Sequence, residues 1–356
     1  MKPLSKRLVK QVKSAVPTKM PMVVIVTAAI LPLYILGLSG GMKFLPLALL
    51  VLISMIMVSA FLGPNLTLLI SPAVALAFAG SALLYKNPLA GAALVALIAF
   101  LARLAMVSSK GSMVIMIPIF TAMFVAGPPL LTGHDPAAWA NVGAIFYCSL
   151  AASFWAAFVS WLLLRRIAIP QLAHLPSLKV AVLSGFLSAA VVGVATWVVL
   201  DHHLGKGGGW LILTLLIIFQ PFTPGTMVKA IQRAVGTLLG FLFVALLLLV
   251  EPNSAPPWAF ALPGILALVA AFGEKLNPLK SYWEYVTFLT IGIVLVEGSG
   301  SGRAHLAKSI RHLSALRLHY TIIGVIIGLI ATAIVLQAQG QLFPRSDVQE
   351  SVATNS

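Results

Sequence analysis

The chain has 356 residues, 60% of them hydrophobic and only 9% charged, against roughly 25% charged in a soluble domain. This composition excludes a water-soluble globular protein and describes an integral membrane protein. The net charge is +15, from 23 lysines and arginines against 8 aspartates and glutamates, but the basic residues flank apolar runs as orientation signals do, which argues against nucleic acid as a partner.

Residues 1–21 read as a basic cytoplasmic amino terminus, carrying Lys2, Lys6, Arg7, Lys10, Lys13 and Lys19. The apolar run that follows is long, contains Pro32 and ends without a convincing cleavage site, so it is expected to be a retained first helix rather than a signal peptide. A hydrocarbon core about 30 Å thick needs about 20 helical residues. Breaks of glycine, proline and charge then give segments at roughly 22–38, 44–61, 66–84, 89–107, 112–131, 140–164, 180–200, 210–222, 233–250, 258–272, 282–297 and 318–337. Segments 210–222, 258–272 and 282–297 are short, as broken or re-entrant helices are. The fold class expected is an all-α polytopic membrane protein with ten to twelve transmembrane helices.

Six segments precede the basic stretch from Arg165 to Lys179 and six follow it. This predicts a first six-helix half over 22–164, a cytoplasmic linker over 165–179, a second six-helix half over 180–337 and a polar tail over 338–356. With the amino terminus inside, most basic residues fall inside as well. The stretch 303–317, with Arg303, Lys308, Arg311 and Arg317, is the exception. Cys148 is the single cysteine, which excludes an intramolecular disulfide and a cysteine-based metal cluster. Asp201, His202 and His203, in a loop before the glycine run Gly205–Gly209, read as a solvated turn rather than a metal site. No zincin pattern, aspartate-rich metal motif or credible Ser, His, Asp grouping is present, so an enzyme is not expected and no cofactor is implied.

On a helix starting just after Pro224, Lys229, Arg233 and Thr237 stand at i, i+4 and i+8 and share one face. Thr226 and the free N–H groups of that helix start add donors at the positive end of its dipole. Arg233, Thr237 and Gly240 have the spacing RxxxTxxG, and Arg317, Thr321 and Gly324 repeat it. An arginine at mid-bilayer depth costs roughly 2.5–3.5 kcal/mol on insertion scales, so two of them call for partners, water or ligand. The bland alternative is that both snorkel to headgroups from helix starts. The expected substrate-binding set is Thr226, Lys229, Arg233, Thr237, Arg317 and Thr321, with guanidinium forks for a carboxylate. Glu284 is the candidate proton-coupling carboxylate.

Other features carry a structural and a functional reading side by side. Trp210, Phe219 and Phe222 serve either as interface anchors or as an apolar wall for an aromatic ring. Gly236 with Gly240 and Gly324 with Gly328 form GxxxG pairs that let helices approach closely, which is expected to bring the Arg233 and Arg317 ends together. His305, His312 and His319 recur every seven residues and suit an interfacial helix against anionic headgroups. Aligning Ile70–Gly80 with Ile231–Gly240 puts Pro72 where Arg233 stands, so the site is expected mainly from the second half.

The stretch from Trp210 to Gly240 has a tryptophan opening a short helix, then Leu213 and Thr214, Gln220, Gly225, Thr226 and RxxGTxxG. It resembles the fusaric acid resistance and aromatic acid exporter superfamily, and the plant aluminium-activated malate transporters are similar there. The later match, Arg317 to Gly324 after YWEYVTFLT, resembles the last helix of the same module, so the likeness covers about 180–337. It implies an exporter of organic anions, aromatic carboxylates among them, in a bacterial inner membrane, driven by the proton gradient and paired with a periplasmic adaptor. Larger relatives insert a soluble domain between the halves, where this chain has only the linker. The partners implied are a small organic anion, membrane lipids and that adaptor, with a homo-oligomer left open. Two alternatives stay open: a channel-like anion conductor, and a non-transporting subunit of an export complex.

Overall fold

In the computed structural model, residues 29–32, 35, 44–108, 114–163, 178–218, 226–250, 256–275, 281–299 and 306–342 are described. Every regular element among them is helical: α1 (Leu45–Leu62), α2 (Pro64–Leu84), α3 (Pro88–Ala105), α4 (Met116–Ala126), α5 (Trp139–Leu163), α6 (Leu178–Asp201), α7 (Gly205–Ile218), α8 (Thr226–Val250), α9 (Pro257–Lys275), α10 (Tyr282–Ser299) and α11 (Leu306–Leu342). Prolines open α1, α2 and α3 at their first or second positions, where the missing N–H has no intrahelical acceptor to lose. Asn87 caps α3 by accepting from the Ala90 N–H at 3.1 Å. A single residue, Gly63 at φ +87°, separates α1 from α2, a conformation that costs glycine little. Several interior hydroxyls are satisfied by their own helices, as when Ser71 donates to the Thr67 carbonyl at 2.7 Å and Thr214 to that of Trp210 at 2.8 Å.

Helices α2, α3, α5, α6, α8 and α11 contain spans long and apolar enough to cross a membrane by length and composition. The helices α4 and α7 have 11 and 14 residues, or about 16 and 21 Å at 1.5 Å per residue, and fall short of a 30 Å core. Helix α7 is nonetheless the most enclosed element. It packs against α4, α6, α8 and α11, and Trp210 to Leu216 are all buried.

The packing follows a repeated pattern. In the second part of the chain α11 lies on α7 and α8, and α10 on α8 and α9; in the first part α5 lies on α1 and α2, and α4 on α2 and α3. The two parts join where α3 meets α6 and α4 meets α7. A large apolar core fills the first part and reaches α7, with Phe78 and Phe124 edge to face at 4.9 Å. The α4–α5 connection is stapled by buried Asn141, whose carbonyl oxygen accepts from the Leu131 and Thr132 N–H groups and whose amide donates to Pro129 and Pro136. Nearby, Lys86 donates to the Asp135 carboxylate at 2.7 Å. This hydrogen bond holds the Asp135 carboxyl below its ordinary range and the Lys86 ammonium above its own.

Several expected boundaries move. The segment expected at 318–337 is the middle of α11, a single helix of 37 residues that takes in residues 306–317 and runs five residues into the expected tail. Neither Arg233 nor Arg317 therefore stands at a helix start. Segment 233–250 starts at Thr226, and segment 210–222 shifts to Gly205–Ile218. Residues 205–209, left between the expected segments 180–200 and 210–222, are the first turn and more of α7. Its glycines are where neighbouring helices press in: a Cβ on Gly207 would enter the Tyr320 ring of α11, one on Gly208 the Val199 side chain of α6, and one on Gly209 would lie 3.3 Å from the Met123 Cα of α4. The amino terminus 1–21, most of 22–38, the core of the linker, residues 303–305 and the end of the tail lie outside the described residues.

Candidate functional site

The two GxxxG pairs do not meet each other. A Cβ on Gly236 would lie 2.5 Å from the Trp283 carbonyl oxygen and one on Gly240 2.7 Å from the Thr290 Cβ, so this pair seats α8 on α10. A Cβ on Gly324 would lie 2.8 Å from the Thr214 Cβ and one on Gly328 3.1 Å from Ile218, so the second pair seats α11 on α7. Contact positions rise together in both cases, 236 to 240 against 283 to 290 and 324 to 328 against 214 to 218. Each pair of helices is thus parallel. The two seams lie side by side because α8 also packs on α11, and this arrangement, rather than a direct glycine-to-glycine seam, gathers the arginines.

Arg233 and Arg317 are each 1% exposed, the largest side chains among the fully buried ones. Such burial rules out snorkelling. Arg233 stands seven residues into α8, donating from Nε to the Thr214 hydroxyl at 3.2 Å and from Nη1 to the Tyr282 hydroxyl at 3.3 Å. Thr214 donates its own O–H to the Trp210 carbonyl, leaving its oxygen to accept. Arg317 stands eleven residues into α11, with Cζ 4.0 Å from the centroid of the Trp210 ring. A desolvated cation–π stack is worth about 2 kcal/mol, which recovers most but not all of the roughly 3 kcal/mol cost of the buried charge. Nη1 and Nη2 of Arg317 donate to no acceptor among the described residues. Leaving such donors unmade costs about 1–3 kcal/mol each.

Arg317 lies within electrostatic range of Arg233, Glu297, Tyr285 and Tyr282. Two guanidiniums close together in an apolar interior repel, and an anion between them relieves this. Thr237, one turn beyond Arg233, is buried with a hydroxyl that has no hydrogen-bond partner among the described residues. Thr321, one turn beyond Arg317, is buried too. The structure therefore brings Arg233 and Arg317 within electrostatic range of each other, with Thr237 and Thr321 buried one turn beyond each. Lys229 is half-buried one turn before Arg233, at the edge of this group. Thr226 opens α8, with its side chain outside the described residues, as are Phe219, Phe222 and His305. Glu284 sits in the first turn of α10. His312 and His319 are exposed on α11, away from the arginines.

Three contributors were not in the expected set. Trp210 is not an interface anchor, since it is 2% exposed beneath a guanidinium. Tyr282 supplies a hydroxyl to Arg233; its spacing of three from Tyr285 in YWEYVTFLT put both on one helical face. Arg103, which composition alone groups with the basic residues flanking apolar runs, is buried in α3 and donates through Nη2 to the Leu216 carbonyl of α7 at 3.2 Å.

The model of fusaric acid resistance protein-like sequences matches residues 187–331, which run from within α6 into α11 and take in Trp210, Arg233, Thr237, Tyr282, Arg317 and Thr321 but not Arg103. No curated protein and no solved structure matches the chain.

Proposed function

The chain is a multi-pass membrane protein whose residues 187–331 form a fusaric acid resistance protein-like region, and on that premise we propose that it exports organic anions, aromatic carboxylates among them, as a transporter rather than an enzyme. The observation that carries this reading is Arg317: buried against Trp210, beside a second buried arginine, with two nitrogens that the described protein atoms leave without acceptors. A carboxylate accepts two N–H bonds from one guanidinium in parallel, and an aromatic ring attached to it finds the Trp210, Tyr282 and Tyr285 surfaces close by. The binding set is Arg233, Thr237, Arg317 and Thr321, with Thr226 and Lys229 towards the start of α8.

The recurrent packing of α1 to α5 and of α7 to α11 supports the reading of two six-helix halves, the expected segment 22–38 lying mostly outside the described residues. Positive-inside charge places the start of α8 at the cytoplasmic face, so the anion enters at Lys229 and leaves beyond Arg317 towards a periplasmic adaptor, across a bacterial inner membrane. In purified protein reconstituted into liposomes, benzoate and related aromatic carboxylates are expected to be carried saturably, and uncharged benzamide is expected to be excluded. Equal passage of benzamide would overturn the anion reading, while large non-saturating currents would favour a channel over a carrier.

The same reading makes transport proton-driven, through a carboxylate on α10. Glu284 stands at one end of that helix and Glu297, in range of Arg317, near the other. Replacing Glu284 by glutamine is expected to flatten the dependence of benzoate efflux on the pH gradient while leaving benzoate binding in place. An unchanged pH response removes Glu284 from that role, and Glu297→Gln then stands the same test.

A further inference from the structure

A groove runs between α6 and α11. Both helices pack on α7 but stand apart from each other, and the gap they leave has a volume of about 580 Å³. Val194 and Val198 of α6 and Ile330 and Ile334 of α11 form its walls, Leu204 and Leu211 of α7 its floor, and every residue that lines it is apolar. The walls belong to two of the spans long and apolar enough to cross a membrane. Val194 and Ile334 are each 62% exposed, so the groove opens outward, towards hydrocarbon. In the first part of the chain α5 reaches the segment before α1 through Trp155, which donates to the Ala29 carbonyl at 3.0 Å. Between α6 and α11 the gap stays open.

One face of α11 joins this groove to a basic surface. Lys308, His312, His319, Ile323, Ile330 and Ile334 follow one another at intervals of four and seven, which keeps them on a single helical stripe. The first three are exposed, Arg311 beside them adds a further cation, and α11 contains no aspartate or glutamate. Asp201, the acid at the end of α6, lies 3.6 Å from His202 in the turn before Leu204. From Ile323 to Ile334 the stripe rises through about 17 Å, close to half of a 30 Å hydrocarbon core, the depth that one leaflet fills. We propose that the groove seats an anionic phospholipid, with one acyl chain between α6 and α11 and the headgroup phosphate against Lys308, His312 and His319. Basic side chains at this level attract anionic headgroups, and a thin, flexible chain follows a concave gap that the flat helix face of a second copy would leave unfilled. The seat requires only that the chain lies in a membrane and is independent of the arginine site.

Native mass spectrometry of the full chain in detergent, with phosphatidylglycerol or phosphatidylcholine added, tests headgroup and groove separately. The parent is expected to retain one phosphatidylglycerol and to bind it about 10-fold or more tightly than phosphatidylcholine, the scale set by a few basic residues near an anionic headgroup. Lys308→Gln, His312→Gln and His319→Gln together are expected to bring that preference down to about 2-fold or less. Ala195→Phe, which fills the groove from α6, is expected to abolish retention of either lipid. Should that variant not fold, Ala331→Phe fills the groove from α11 and carries the same expectation. Equal retention of the two lipids by the parent, an unchanged preference in the glutamine form, or unchanged phosphatidylglycerol retention in the filled forms would overturn the proposal. A lipid-free dimer that Ala195→Phe converts to a monomer would overturn it too, and would assign the groove to a second copy of the chain.

Discussion

Arg317→Ala is expected to lower benzoate efflux by about 100-fold or more while the protein remains folded and monodisperse in detergent. Two charge-assisted hydrogen bonds to a carboxylate contribute roughly 3 kcal/mol or more, and 1.4 kcal/mol is a factor of ten. Folding is expected to survive because Arg317 contributes little net stability to the empty protein: its stack on Trp210 offsets most of its burial, and its terminal nitrogens bond no described acceptor. Arg317→Lys tests geometry apart from charge. Lysine keeps the cation but loses the planar stack and the fork, so an intermediate rate is expected. Full activity in the alanine form, measured as initial efflux from preloaded liposomes, would remove Arg317 from the site.

Gly236→Val is expected to be the most damaging of the apolar substitutions. A Cβ there would lie 2.5 Å from the Trp283 carbonyl oxygen and 2.8 Å from the Val286 Cβ, and backbone cannot turn aside as a flexible side chain can. Overpacking costs typically 1–3 kcal/mol and more when the neighbour is rigid, so a loss of about 3 kcal/mol is expected. The effect reaches function too, since opening the α8–α10 seam pulls Tyr282 from Arg233, whose hydrogen bond is already long at 3.3 Å. Thermal unfolding of the purified protein checks the first effect and benzoate binding the second. Parental stability in Gly236→Val would mean that the two helices do not approach as described.

How much of this was legible in the chain depends on what each feature is made of. The face of α8 was readable because helical period alone places Lys229, Arg233 and Thr237 together, and the repeated RxxxTxxG pointed to Arg317 and Thr321. The continuity of α11 was not, because hydropathy falls over Lys308, Arg311 and His312 while backbone hydrogen bonding does not; no proline or glycine interrupts residues 306–323. Residues 205–209 fell between the expected segments because each interior glycine costs a helix about 1 kcal/mol, a penalty overridden where Tyr320, Val199 and Met123 leave no room for a side chain. Arg103 was illegible for another reason. Its partner is a backbone carbonyl 113 positions away, and a carbonyl has no sequence signature.

Helix α11 has 37 residues, about 55 Å of continuous rod where a bilayer core is about 30 Å. Its close contact with α7 at Gly324 is the point about which a tilt would turn. A tilt of about 10° there would swing the Leu306 end by roughly 5 Å but Arg317 by only about 2 Å, close to the difference between a hydrogen bond made and one broken. Such a tilt would gear a coarse displacement of the exposed basic end down to the scale of a single hydrogen bond at Arg317.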